Sequence, residues 1–533
     1  VAYTQKKFLI VDDFSDFRSS VRSMLRELGV REVDTADNGE EALKMCAVRR
    51  YDFILHDFNL GDGRKNGQQV LEDLMVDKLL SHESVFIMVT AENSQAMVMG
   101  ALEWEPDAYL TKPFNRAGLA QRLDKLVQRK TLLKPILQAL DRNMPDQVLA
   151  ACEQLTEQDA RFAPLCLRYK ADALRELKQY DALQALLSEI VADRPTPWAF
   201  RALGALLLKR NKAAAARDVY EQALKAFPSM PALYDGLAEV LVSLGDHKRA
   251  QRVLEDAVRL SPLAVRRQSL LGKLALENED FDGASRAFRQ AVAQGKNSRF
   301  KDPETNLGFA QALIGKNGDG HLDARSRVEL NQTLAEVTRE HAGDPALQVR
   351  TTLLKATSLR GSDPEASAKL SAEATEKLAS MTQFFSPETA LKVAVQLQSL
   401  GQDQASAGVF KSCVQIYGDD PAVMQGIAAL TDDQEILGAS KAAVELNVQG
   451  VRSYKGGDLA QARDLFRRAL DMQPRNISIA LNLAQSLLHT KGSQPDPQIL
   501  AECRACLNRI GTIATNDARY ERYQNLHSRA FER

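Results

Sequence analysis

No stretch of the 533 residues holds the ~18–20 consecutive apolar residues that a membrane-spanning helix needs. The opening residues, VAYTQKKFLIVDD, show no long apolar segment before a small-residue cleavage site, so no secretory leader is expected. Cysteine is scarce and scattered (Cys46, Cys152, Cys166, Cys413, Cys503, Cys506), which excludes a disulfide framework and points to a reducing, cytoplasmic setting. Aromatics are only 6%, with 29 Gly and 18 Pro, a helix-friendly balance that argues against a β-sandwich, collagen or disorder. No charge sign dominates. Residues 1–130 carry 18 basic against 21 acidic side chains and the remainder 51 against 49, for a net charge of −1. Nucleic acid is therefore a disfavoured partner, since non-specific binding to phosphates requires a positive excess. What is present is ordinary for a globular protein, 44% apolar and 26% charged, in a length suited to three or four domains.

The first 128 residues alternate short apolar runs with amphipathic stretches. Strands are expected at 8–12, 33–36, 51–56, 84–90 and 107–111. Helices are expected at 14–28, where Phe17, Val21, Met24, Leu25 and Leu28 form one stripe, at 39–48, and at 116–127 as a closing helix. Such alternation predicts an α/β, doubly wound, five-stranded parallel sheet, whose chemistry gathers at the carboxyl ends of the strands.

Beyond residue 131 the strand signals vanish and a 34-residue period appears in blocks 197–230, 231–264 and 265–298, with a fourth copy at 443–476. Positions 8, 20 and 27 of each block are small, as close approach of two antiparallel helices demands. Larger apolar groups fill the gap beside them, and Pro stops the second helix by removing an N–H. These blocks resemble tetratricopeptide (TPR) repeats, which implies an all-α solenoid. The expected segments are 1–128, then repeats over 129–300, divergent repeats over 301–442, and repeats with a polar capping helix over 443–533. About nine or ten helical hairpins are expected.

In the first domain, Asp12 and Asp13 end strand one, Asp57 ends strand three, Thr90 ends strand four, and Lys112 follows strand five. Three carboxylates at one sheet edge repel unless a cation sits among them. Oxygen ligands with room for water and phosphate suit Mg²⁺, and Lys112 with Thr90 suits a phosphoryl group. This constellation over residues 5–128 resembles the receiver domain of bacterial two-component response regulators. The resemblance implies that Asp57 accepts phosphate from a phosphohistidine on a histidine kinase or phosphotransfer protein. It implies that Asp13, Asp57 and the Asn59 backbone carbonyl bind Mg²⁺, with Asp12 acting through water. Lys112 pairs with the phosphoryl group, Thr90 moves to it, and Tyr109 follows inward. Asn59 and Glu92, as in single-domain chemotaxis receivers, imply a short-lived acyl phosphate. The loop after Asp57, DFNLGDGRKNG, is expected to alter donor docking without touching the metal site.

Other signals carry less. Cys503-x-x-Cys506 has no second pair or His cluster nearby and reads as helix-face cysteines. Asn317-x-Asp319-x-His321-x-Asp323 lacks the glycine and closing glutamate of a calcium loop. Trp198 reads as a core or inter-repeat contact. The repeats therefore read as a binding module with no second catalyst. Their inner wall would present Arg201, Asp235, Glu239, Arg266, Ser269, Lys273, Asn447 and Val451 to a protein or peptide.

The expected function is a non-enzymatic, phosphorylation-switched regulator. The face formed by the helix before strand five, that strand and the helix after it would pair two receivers into a homodimer or repack against the first hairpins. The alternatives are a constitutive scaffold whose receiver only docks, and a nucleic-acid-binding regulator.

Overall fold

The computed structural model describes residues 3–61, 63–91, 106–318, 321–381, 384–489, 496–511, 513 and 517–531. The chain divides into two compact units, 1–312 and 313–533.

The first unit opens with β1 (Lys7–Val11), α1 (Ser15–Glu27), β2 (Glu32–Ala36), α2 (Gly39–Val48), β3 (Phe53–Asp57), α3 (Gly67–Val76), β4 (Val85–Thr90) and β5 (Ala108–Thr111). The strands form a parallel sheet in the order β2-β1-β3-β4-β5. Both faces of the central strands are covered, which is why β1, β3 and β4 read as apolar runs, while the edge strand β2 is only partly buried. On one face Phe8, Ile10, Leu55 and Ile87 pack with Val21 and Leu25 of α1 and with Leu119 and Leu123 of the helix after β5. On the other, Leu9, Val11, Ile54 and Phe86 pack with Ala42 and Cys46 of α2 and with Val70, Leu71 and Leu74 of α3.

The helix after β5, α4, runs without a break from Arg116 to Asp141. The expected end at 127 and the boundary at 128 fall inside it. Buried Leu119, Leu123 and Leu126 are followed by Leu133, Ile136 and Leu137 at helical spacing, and no glycine interrupts them after Gly118. Its first half closes the sheet, and its second half packs on α5 (Pro145–Gln158) and α6 (Ala163–Glu176) through Leu133, Ile136, Leu137, Val148 and Cys152. The joint is held by a second set of contacts. Lys130 Nζ lies 2.9 Å from Asp107 and donates to His82 O at 2.7 Å, and Asp141 accepts from the His82 backbone at 2.9 Å.

Helical hairpins follow: α7 (Tyr180–Asp193), α8 (Pro197–Lys209), α9 (Ala213–Ala226), α10 (Pro231–Ser243), α11 (His247–Leu260), α12 (Val265–Glu277), α13 (Phe281–Gly295) and α14 (Pro303–Asn317). The buried ring of Tyr220 wedges between Gly204 of its own repeat and Gly236 of the next, where an added Cβ at either site would overlap it. Phe288 repeats the wedge between Gly272 and Gly308. The small position inside each hairpin was expected; the second glycine, which admits the preceding repeat's aromatic, was not.

The second unit is all-helical. It includes the hairpin Lys441–Lys455 and Leu459–Met472, the helix Ile477–Leu487, the helix Pro497–Ile510, and a last helix, Tyr520–Phe531, packed through Leu526 and Ala530. Asp323 caps the helix Ala324–Glu340 by accepting from Ser326 N at 2.9 Å; Asp319 lies outside the described residues. Among the described residues, no helix is long and apolar enough to cross a membrane.

Candidate functional site

The carboxyl ends of β1 and β3 bring Asp12, Asp13 and Asp57 together, with one ligand oxygen from each lying within 4.8 Å of the others. Asp12 is 1% exposed and Asp57 7%. The Asp12 side chain accepts from Phe14 N at 2.9 Å, which turns the chain into α1. Arg18 Nη1 donates to Asp12 O at 2.5 Å. Lys112 Nζ bridges two of the acids, at 2.7 Å from Asp12 Oδ2 and 3.0 Å from Asp57 Oδ2. The ring of Phe17 caps that ammonium at 4.1 Å.

Burial pushes the Asp57 carboxyl above its ordinary pKa, against the opposing pull of Lys112. Burial alone would depress the Lys112 ammonium, but its bonds to Asp12 and Asp57 outweigh that and hold its pKa above the usual lysine value. One lysine thus faces three acids. Buried Asp13 Oδ1 has no hydrogen-bond partner, an arrangement that is costly unless a cation completes it. An all-oxygen donor set with an orphaned carboxylate oxygen fits Mg²⁺.

Thr90 is buried at the end of β4, and its carbonyl accepts from Lys112 N at 2.8 Å. Half-buried Tyr109 packs against the core on the α2/α3 face. Asn59 is exposed, and its side-chain oxygen accepts from Gly61 N at 3.2 Å. Glu92 lies outside the described residues, as does the segment before β5 that the switching face requires.

Three participants at this site were not singled out from the sequence. Phe17 was assigned only to the core stripe of α1. His56 is fully buried in β3, and burial pushes its imidazole down to about 4. The neutral ring then donates from Nδ1 to Asp57 O at 2.6 Å. Gly67 opens α3 against the same carbonyl. A Cβ there would lie 2.7 Å from Asp57 O, 2.6 Å from Met88 Sδ and 3.0 Å from His56 Nδ1. A histidine inside an apolar strand run was the available signal for the second; Gly67 gave none.

The residues expected on the repeat wall divide between the units. In the first unit Arg201, Glu239, Arg266 and Lys273 are exposed. Arg266 lies over the Phe300 ring at 5.2 Å. Half-buried Asp235 is gripped by Arg267, 4% exposed, through bonds of 2.7 and 2.6 Å. Ser269 bonds to Thr305 at 3.0 Å. In the second unit Asn447 is buried and accepts from Asn482 at 2.9 Å, and Val451 packs against the core. Asp235, Ser269 and Asn447 therefore have bonds within the fold, to an arginine, a threonine hydroxyl and an amide on neighbouring helices. Cys503 and Cys506 are buried, and among the described residues no third Cys, His or carboxylate joins them. Trp198 is partly buried against the repeat core.

The response regulator receiver domain model matches residues 8–124, and tetratricopeptide repeat models match 207–274 and 448–493. The chain belongs to the response regulator receiver family, with TPR repeats in its helical region. Chemotaxis protein CheY-3 of Vibrio cholerae is 37% identical over 123 residues, covering 23% of this chain and 92% of the relative. Chemotaxis protein CheY of Pseudomonas aeruginosa is 34% identical over 123 residues, covering 23% and 97%. Among solved structures, Vibrio cholerae CheY4 is 28% identical, with a TM-score of 0.21, covering 23% of this chain and 98% of that one. A CheY-like receiver domain protein of Methanospirillum hungatei is 28% identical, with a TM-score of 0.22, covering 24% and 96%.

Proposed function

We propose that this protein is a two-component response regulator in which phosphorylation of Asp57 controls a protein or peptide interaction made by the TPR repeats. The observation that carries the proposal is the acid cluster itself. Three carboxylates and one lysine converge at a sheet edge, with a carboxylate oxygen left unsatisfied, in the same chain as an array of TPR repeats. A histidine kinase or phosphotransfer protein would supply the phosphoryl group. The phosphorus–nitrogen bond to imidazole breaks, the ring keeps the electron pair, and an Asp57 carboxylate oxygen forms the new bond to phosphorus.

Asp12, Asp13 and Asp57 would hold Mg²⁺, with the Asn59 carbonyl as a further ligand; the bound ion would offset charge on the phosphoryl oxygens. Lys112 already lies against Asp57 and is positioned to pair with a phosphoryl group there. Thr90 and Tyr109 are the switch residues of this reading. Hydrolysis of the acyl phosphate resets the protein, so Asp57 is an acceptor and not part of a turnover enzyme.

Incubation of the full chain with acetyl phosphate and Mg²⁺ should add one phosphoryl mass to the peptide holding Asp57 in wild type and none in Asp57→Ala. No added mass in wild type refutes the proposal. Binding of repeat-region partners that is identical with and without beryllofluoride would favour the constitutive scaffold instead.

A further inference from the structure

Within the first unit, the turn between α13 and α14 returns to the receiver and grips α3. Lys65, in the loop between Asp57 and α3, donates from Nζ to Asp73 Oδ2 at 2.8 Å and to Asn297 O at 2.9 Å. Arg299 reaches the same carboxyl-terminal end of that helix. Its Nη2 lies 3.1 Å from Asp77 Oδ1, and its Nη1 lies 3.4 Å from both Asp73 O and Asp73 Oδ1. A guanidinium at the carboxyl end of a helix also meets the negative end of the helix dipole. Asp73 is only 6% exposed, so this face of the receiver is covered and not free surface.

The far end of α3 has no slack. Gly67 N donates to Phe58 O at 2.9 Å, and there is no room at Gly67 for a methyl group against the carbonyl of Asp57. The turn in its own right faces the repeat wall. Phe300 lies under Arg266, and Thr305 bonds Ser269, both on α12.

We infer that α3 and the turn 297–300 form an internal interface that couples Asp57 to the inner wall of the third repeat, and that this interface holds the unphosphorylated state. The inference rests on the proposed phosphorylation of Asp57. A phosphoryl group adds bulk and negative charge beside a loop whose Lys65 is one of the two cations of the contact. The loop must move, and α3, packed against the Asp57 carbonyl, moves with it. The contact to Asn297 and Arg299 then loosens, and the Phe300 side of the turn is released from Arg266. Coupling is reciprocal: whatever the phosphoryl state does to the contact, breaking the contact does to the phosphoryl state by the same factor.

Arg299→Ala and Asp77→Ala weaken the contact from opposite sides by removing the Arg299–Asp77 pair, while Lys65 stays on Asn297, and neither touches the acid cluster. Beryllofluoride with Mg²⁺ is titrated calorimetrically into the full-length wild type and both variants, and hydrogen exchange is followed in 67–77 and 294–302. Both variants should bind beryllofluoride about 5- to 10-fold more tightly, the lower end of the typical coupling range. In wild type, beryllofluoride should speed exchange in both segments. Uptake by wild type with exchange unchanged in 294–302, or variants with unchanged or weaker uptake, overturns the coupling and leaves Asp57 phosphorylation standing. No uptake by wild type overturns both.

Discussion

Replacing Lys112 with alanine tests the electrostatic account of the acid cluster most directly. The side chain keeps 18% exposure and lies 2.7 Å from Asp12 and 3.0 Å from Asp57. Breaking a buried pair by removing one partner costs about 3–5 kcal/mol. Partial exposure of the ammonium lowers that to roughly 2–3 kcal/mol. A chain with two compact units has no single global unfolding energy, so the readout is hydrogen exchange of β1 and β3 amides in the full protein. The expected change is roughly 30- to 150-fold faster exchange in the variant at pH 7 without metal. Mg²⁺ at ten times its dissociation constant should return about 1.4 kcal/mol, or tenfold.

The pH dependence has a definite sign. Burial already raises the Asp57 pKa, and losing Lys112 raises it further. An acid whose folded pKa is raised contributes stability that is fully present below its unfolded pKa and is lost as pH rises through the folded one. The deficit of the variant is therefore larger at neutral pH than in acid and shrinks as pH falls toward the ordinary carboxylate range. Exchange within about threefold of wild type at pH 7, or a deficit that stays constant as pH falls, would refute the reasoning.

Gly67→Ala places a methyl group against Met88 and the Asp57 carbonyl, so α3 should lose about 1–3 kcal/mol of protection and beryllofluoride uptake should weaken, as exchange and calorimetry would record. Gly236→Ala should cost the second and third repeats about 1–2 kcal/mol, overpacking against Tyr220 outweighing roughly 1 kcal/mol of gained helix propensity. Adding Tyr220→Leu should restore exchange in α10, and a double variant worse than Gly236→Ala would contradict the wedge. Burial pushes the Cys503 thiol to about 11 and Cys506 to about 12. Both should resist a thiol reagent until the protein is denatured, with a zinc chelator making no difference; rapid labelling of native protein would count against that burial.

The strands, α1 and α2 of the sheet layer were legible because polar or glycine signals bound them, whereas α3 was not read from the sequence. Helix α1 shows this: the expected stripe of Val21 and Leu25 is buried, with Phe17, Met24 and Leu28 packed beside it. The acids were legible because strand ends in a parallel sheet fall at one edge, so spacing alone aligns Asp12, Asp57 and Thr90. The end of α4 was not legible. Leucines continue past 128, and Pro135 is accommodated inside the helix instead of ending it. The repeat wall was least legible, because a helical face fixes direction but not partners. Arg267, on α12 of the following repeat, is an example: it reaches across to Asp235 on α10 and claims that carboxylate first. His56 and Gly67 depend on how closely α3 approaches β3 and β4, a fact of tertiary packing that no local pattern encodes.

Because α4 belongs to two bodies at once, the sheet layer and the helical array have no hinge region where a protease or an engineered cut could part them cleanly. A cut at 128 would leave Leu119, Leu123 and Leu126 with the sheet and Leu133, Ile136 and Leu137 with α5 and α6, but it would break the helix that joins them and part Lys130 from Asp107 and Asp141 from His82. Any rotation of the amino-terminal half of that rod is delivered, turn by turn, to the first layer of the superhelix.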